Sequence, residues 1–195
     1  MTAVYDMAIA TPVIHFIETE LASIPVYQYA FFKPQDIVFR DVLRMYCKRS
    51  CRHYKSSWSC PPAIESVEKC IARCLASEDG MLFSTIQTDL PRNLSGTMGG
   101  EQQPVSTAHE QVTGRIEAIM KRAGKSCYTL TGNVCTVCRS CSYPKESCRY
   151  PDLMHPCIES HGISIAQLAD QCGMDYYLDD DAKLQFSIIF LSDPA

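Results

Sequence analysis

Three cysteines recur with two residues between each, at Cys135, Cys138 and Cys141; Cys148 follows after six more, and Pro151 closes the run. An iron–sulfur cubane takes thiolates at separate iron corners, and successive Cys-x2-Cys steps supply three of them from one short loop. A single tetrahedral zinc more often takes two close pairs brought together across a long gap. The run therefore favours an iron–sulfur cluster over zinc. Its last gap and the position of its proline depart from the bacterial ferredoxin run. That leaves Cys148 open as a ligand of this cluster, of a neighbouring one, or of neither.

A second group precedes it, spaced Cys47-x3-Cys51-x8-Cys60 and followed by Pro61 and Pro62. Cys70 and Cys74 lie one helical turn apart a little further on, so both can face the same way. Either can supply a fourth thiolate to Cys47, Cys51 and Cys60; packing in the helix core is the alternative. Arg49, Arg52 and Lys55 surround the group. Cations offset the negative charge of a thiolate-bound cluster, although a solvated basic loop explains them equally well. His53 reads as a surface histidine, and Trp58 as a water shield or core filler.

The elements that must position these loops follow from periodicity. Residues 1–12 form a lead-in, and 13–195 a single metal-binding domain with motifs at 47–74 and 135–151. VIHFIET at 13–19 is β-branched and aromatic and predicts a strand. Val38, Val42, Met45 and Tyr46 share a helical face that ends near Cys47. A helix from about Ala63 to Ser77 carries Ile64, Val67, Ile71 and Leu75 on its apolar stripe. Residues 81–88 predict a strand, 91–104 a Gly-rich loop, 107–123 a helix stopped by Gly124, and 126–131 a strand leading into the Cys135 loop. Ser164 caps a short helix to Gln171. Strands at 175–178 and 184–191 follow, the last of them central, with an acidic turn at Asp179–Asp181 between them. The fold class is α/β: a mixed β-sheet flanked by helices, with two cysteine-rich cluster loops.

The totals narrow the function. The chain has 195 residues and a net charge of −4, which leaves no strong positive field for general nucleic-acid binding. No apolar run reaches the ~20 residues that span a bilayer. The N-terminus carries Asp6 and Glu18 and has no basic region, so it does not read as a signal peptide, and twelve cysteines then imply a reducing cytoplasm and not a disulfide framework. No P-loop, dinucleotide or Ser-His-Asp fingerprint is present.

The segment YKSSWSCPPAIESVEKCIARC, with Cys47 and Cys51 upstream, resembles the first signature of an uncharacterised bacterial and archaeal family, domain of unknown function 2284, labelled "predicted metal-binding protein". CTVCRSCSYPKESCRYPDLMHPCIESHGI resembles its second signature, and LQFSIIFL its last strand. The resemblance covers roughly residues 13 to 191. It implies metal binding by Cys47, Cys51, Cys60, Cys135, Cys138, Cys141 and Cys148, with Cys70 a further match. Ser56 stands at or one place from a family glycine. Cys157 stands where the family usually has serine, and no metal role is carried onto it.

Three functions fit. The first is a redox protein with one or two [4Fe-4S] clusters that exchanges electrons with a partner the sequence does not identify. The second is an enzyme with an open iron corner, with His53, His109 or His155 as proton donors. The third is a zinc-stabilised interaction module.

Overall fold

The computed structural model describes residues 11–87, 107–178 and 182–194. Its centre is a four-stranded sheet in the order β1-β2-β4-β3. The strands are β1 (Gln28–Phe32), β2 (Asp79–Gln87), β3 (Ser126–Thr131) and β4 (Lys183–Ser192). All three pairings are antiparallel, with Phe83 opposite Ser187 and Leu130 opposite Ile188. The expected mixture of directions is reduced to one parallel bridge, between Thr131 and Cys157.

Side chains alternate across a strand, so each strand feeds both faces. Met81, Phe83, Ile189 and Leu191 pack on one face against Ile17 and Leu21 of α1 (Thr11–Leu21) and Val112, Ile116, Ile119 and Met120 of α4 (Ala108–Arg122). Leu82, Leu130, Ile188 and Phe190 pack on the other against Leu168 and Ala169 of α5 (Ile165–Gln171) and Cys74 of α3 (Val67–Leu75). Burial on both faces makes β4 the apolar run that reads as a central strand, and it does lie between β2 and β3. Gly80 of β2 has no side chain because Phe32 lies over it; a Cβ there would sit 2.4 Å from Cζ of that ring.

Several expectations are corrected. Residues 13–19 lie inside helix α1, not in a strand. Ile14, Ile17 and Leu21 fall on one helical face, and packing of that stripe on α4 outweighs β-branched propensity. The first strand is instead β1, fifteen or so residues later by the chain's own spacing. The helix before Cys47, α2 (Asp41–Ser50), exists, but its apolar stripe faces out: Val42, Met45 and Tyr46 are exposed, and Cys47 is the buried residue. α3 starts at Val67 behind Ser66, not at Ala63, and its buried residues are Cys70 and Cys74, while Leu75 is exposed. Residues 175–178 form no strand; Tyr176 stacks on Phe186 at 5.8 Å. The loop at 91–104 and the acidic turn at Asp179–Asp181 lie outside the described residues. α4 and α5 match their sequence signals. Thr107 and Glu110 form a capping box at α4, Gly124 ends it with φ 79°, and the Ser164 hydroxyl accepts from Gln167 N at α5.

Candidate metal centre

The second cysteine segment lies in the loop between β3 and α5; the first runs from the end of α2, which carries Cys47, through the loop to α3, which carries Cys70 and Cys74. Backbone bonds zip them together beyond the end of β3. Ile158 N donates to Thr131 O at 3.0 Å, Thr131 N to Pro156 O at 3.0 Å, and Cys157 N to Ser59 O at 3.1 Å. Trp58 Nε1 donates to Glu146 O at 3.1 Å, and its ring meets Tyr143 edge-on at 5.0 Å. The Arg44 guanidinium donates to Ser160 O at 2.7 Å and Glu65 O at 2.6 Å, tying α2 to the turns on either side. Glu110 accepts from Thr136 N at 3.2 Å and Thr136 Oγ1 at 2.8 Å, which fixes the start of the second loop to α4. Lys55 adopts φ 61°, the left-handed region that favours glycine.

All twelve cysteines are free thiols. Cys135, Cys138, Cys141 and Cys148 line one cleft of about 510 Å³, walled by Trp58, Val137, Tyr150 and Met154. Burial pushes the Cys135 thiol up to about 11, with Glu110 and then Cys148 and Cys138 adding to the rise and a backbone hydrogen bond opposing it. Cys47, Cys51 and Cys60 form the second neighbourhood. Burial pushes Cys47 up to about 11, helped by Cys51, Glu159 and Cys60 and opposed by Arg44. Burial also raises Cys60, which feels Cys51 and Cys141. Cys70 sits elsewhere in the sequence-predicted set: it opens on a cleft of about 400 Å³ together with Cys148, Arg73 and Tyr128. Burial raises its thiol too, against the opposing charge of Arg44. Among the described residues, no three His, Cys, Asp or Glu side chains are gathered closely enough to close on a single metal ion.

Sequence reasoning passed over Cys157. Its thiol donates to Glu159 Oε2 at 2.9 Å, its backbone N is bonded to the residue before Cys60, and burial raises it well above a free thiol, with Glu159 and Cys60 contributing. A long-range backbone pairing puts it there, and no local spacing announces it. The histidines are committed to structure. His53 accepts from Arg52 Nε at 3.0 Å. His155 Nε2 lies 3.3 Å from Glu117 Oε1. His109 is held between Thr85 Oγ1 and Ser187 Oγ, both at 2.8 Å. A polar cleft of about 580 Å³ lined by Cys51, Arg52, His53, Asn133 and Gln185 adjoins the first group.

The donors are thiols alone, buried at Cys47 and Cys60 and half-buried in the second group beside apolar and aromatic walls, and held by segments pinned to the sheet. That is the donor set of thiolate-bound iron or zinc. Residues 30–191 match the family described as "predicted metal-binding protein", domain of unknown function 2284, and the chain belongs to it. No curated protein and no solved structure matches it. Among the described residues, no helix is long and apolar enough to cross a membrane.

Proposed function

We propose that this protein is an iron–sulfur electron-transfer or redox accessory protein of the cytoplasm, with one [4Fe-4S] cluster held by each cysteine group. The observation that carries this reading is the shared cleft of Cys135, Cys138, Cys141 and Cys148, four thiols that one loop with successive Cys-x2-Cys steps brings to line one space. A single zinc needs its donors about 2.3 Å from one centre; a cluster takes each thiolate at a different iron. In the first group Cys47, Cys51 and Cys60 bind, and Cys157 is the fourth thiolate, in preference to Cys70 on its separate cleft. A bound cluster supplies one-electron donor and acceptor chemistry. The chain's own contribution is to exclude water with Trp58 and Met154, to orient the loops through Arg44 and Glu110, and to offset thiolate charge with Arg49, Arg52 and Lys55. The partner is a redox protein, with no nucleic acid or membrane surface involved.

Anaerobic purification followed by iron, acid-labile sulfide and zinc analysis, with EPR of the reduced protein, tests this. Brown protein with iron and sulfide is expected, and Cys157→Ser lowers the first group's iron more than Cys70→Ser does. Colourless protein with stoichiometric zinc and no sulfide sinks the reading. The polar cleft beside Cys51 favours a second reading, an enzyme with an open iron corner that binds a small polar molecule there. EPR unchanged by replacement of Cys157, Cys70 and Cys148 would favour it.

A further inference from the structure

The segment Ser57-Trp58-Ser59 contains two hydroxyls that no ligand pattern uses. Trp58 is anchored by Glu146 O, and its neighbours on either side are both buried in a turn that Cys60 N closes on Ser57 O at 3.2 Å. Ser57 is 3% exposed and Ser59 is 0% exposed. Their oxygens are 2.9 Å apart. Ser59 Oγ lies 3.7 Å from Cys60 Sγ, in the first group, and accepts from Cys135 N at 3.2 Å, in the second. Ser57 Oγ accepts from Ser59 N at 3.2 Å and lies 3.9 Å from Cys141 Sγ, also in the second group. An unbroken path of hydrogen-bond contacts therefore runs from Cys60 through Ser59 and Ser57 to Cys141.

We propose that Ser57 and Ser59 are positioning residues that couple the two cysteine groups, so that what one group holds alters how firmly the other holds its own. The proposal rests on the reading of two thiolate sites above. The contacts give the mechanism. Ser57 Oγ holds Ser59 through both its amide and its hydroxyl, and Ser59 Oγ in turn meets Cys60 Sγ and accepts from Cys135 N. A shift of either cysteine loop on loading is therefore carried through these two side chains to the other. Loss of either hydroxyl severs the path, and backbone amides bonded to it lose their acceptor as well. Hydrogen bonds to ligating sulfur are among the outer contacts that tune a metal site.

The test is metal release to a chelator, followed by elemental analysis, which counts iron and zinc alike. Cys51→Ser disables the first group and Cys138→Ser the second, so that each background reports one site. In the Cys138→Ser background, Ser57→Ala is expected to speed release from the first group about fivefold, the worth of one ordinary hydrogen bond, although the Ser57 hydroxyl touches no cysteine of that group; its backbone carbonyl, which accepts from Cys60 N, is kept in the variant. In the Cys51→Ser background, Ser59→Ala is expected to speed release from the second group by a similar factor. Ser142, whose hydroxyl donates to Ser147 O at 2.7 Å within the second loop, is the control: Ser142→Ala leaves the first group's release unchanged. Both serine variants remove one oxygen and add no bulk, and circular dichroism checks that they fold. Unchanged release in either cross arm overturns the coupling, as does an equal effect of Ser142→Ala on the first group. A protein that carries zinc without iron removes the cluster reading, yet the cross arms still decide the coupling. A protein that holds neither metal overturns both.

Discussion

His109 should make the fold acid-sensitive in a defined window. The ring is 2% exposed and packs against Phe83 at 5.6 Å between β2 and β4. Burial lowers its pKa from 6.5 to about 4; a backbone bond at Phe186 and the charge of Glu110 oppose the drop, and His155 adds to it. The folded imidazole is therefore neutral where the unfolded one is charged. Between pH 6.5 and 4 the unfolded chain binds more protons, and stability falls as pH falls through that window. Integrating the two titrations from pH 7 to pH 4 gives a loss of about 3 kcal/mol from this residue, a large share of the ~5–15 kcal/mol of a typical domain. Urea denaturation of wild type and His109→Gln at half-unit steps across this range reads the effect. Gln does not titrate, so the stability difference between the two chains moves by about 3 kcal/mol in the variant's favour between pH 7 and pH 4. Metal loss in acid affects both chains and cancels in the comparison. Parallel stability curves would show that the ring titrates equally in both states and refute the reasoning.

Three further outcomes are expected. Gly80→Ala drives a methyl into the buried Phe32 ring, which in turn meets Phe190 edge-on at 6.1 Å, and should cost on the order of 2 kcal/mol in chemical denaturation, with part recovered by Phe32→Leu in the same chain. Lys55→Gly relieves a left-handed residue and should raise stability by up to about 1 kcal/mol; a loss would mean that the Lys55 side chain, whose ammonium lies 5.6 Å from the Tyr54 ring, matters more than its backbone. Metal uptake by the apoprotein should release protons and strengthen with rising pH, because burial holds Cys47 and Cys135 as thiols up to about 11. A pH indicator in weakly buffered solution follows the release, and uptake without protons would contradict the buried-thiol state of both groups.

The parts of this molecule that were legible in the sequence are those whose signal is local. The Gly124 stop and the Ser164 cap each lie within one helical turn of what they control, and α4 and α5 stand where those residues put them; the Thr107–Glu110 box is a further local signal that the sequence reading passed over. The β4 run Ile188–Leu191 is apolar at four successive positions because the strand is covered on both faces. The failures come from tertiary override. VIHFIET has strand propensity and a helical stripe at once, and contact with α4 decides between them. α2 has a convincing apolar stripe, yet Val42, Met45 and Tyr46 are exposed and the side that the fold uses is Cys47.

The candidate site divides along the same line, and the division explains its construction. Cys-x2-Cys spacing is a property of one loop, so the second group was readable as a group and its four thiols do share one cleft. The first group spreads over a helix end and a loop, and a segment distant in sequence lies beside it. Cys157 N is bonded to Ser59 O, next to Cys60, and residue 157 bridges Thr131 at the end of β3. Those bonds belong to the sheet's continuation and not to any motif. The same continuation brings Cys135 N to Ser59 Oγ and so sets the two groups side by side. A chain that needed only two independent sites could have placed them on separate loops; here Ser59 accepts from Cys135 N through its hydroxyl and from Cys157 N through its carbonyl, so loss of the hydroxyl breaks the first contact and leaves the second.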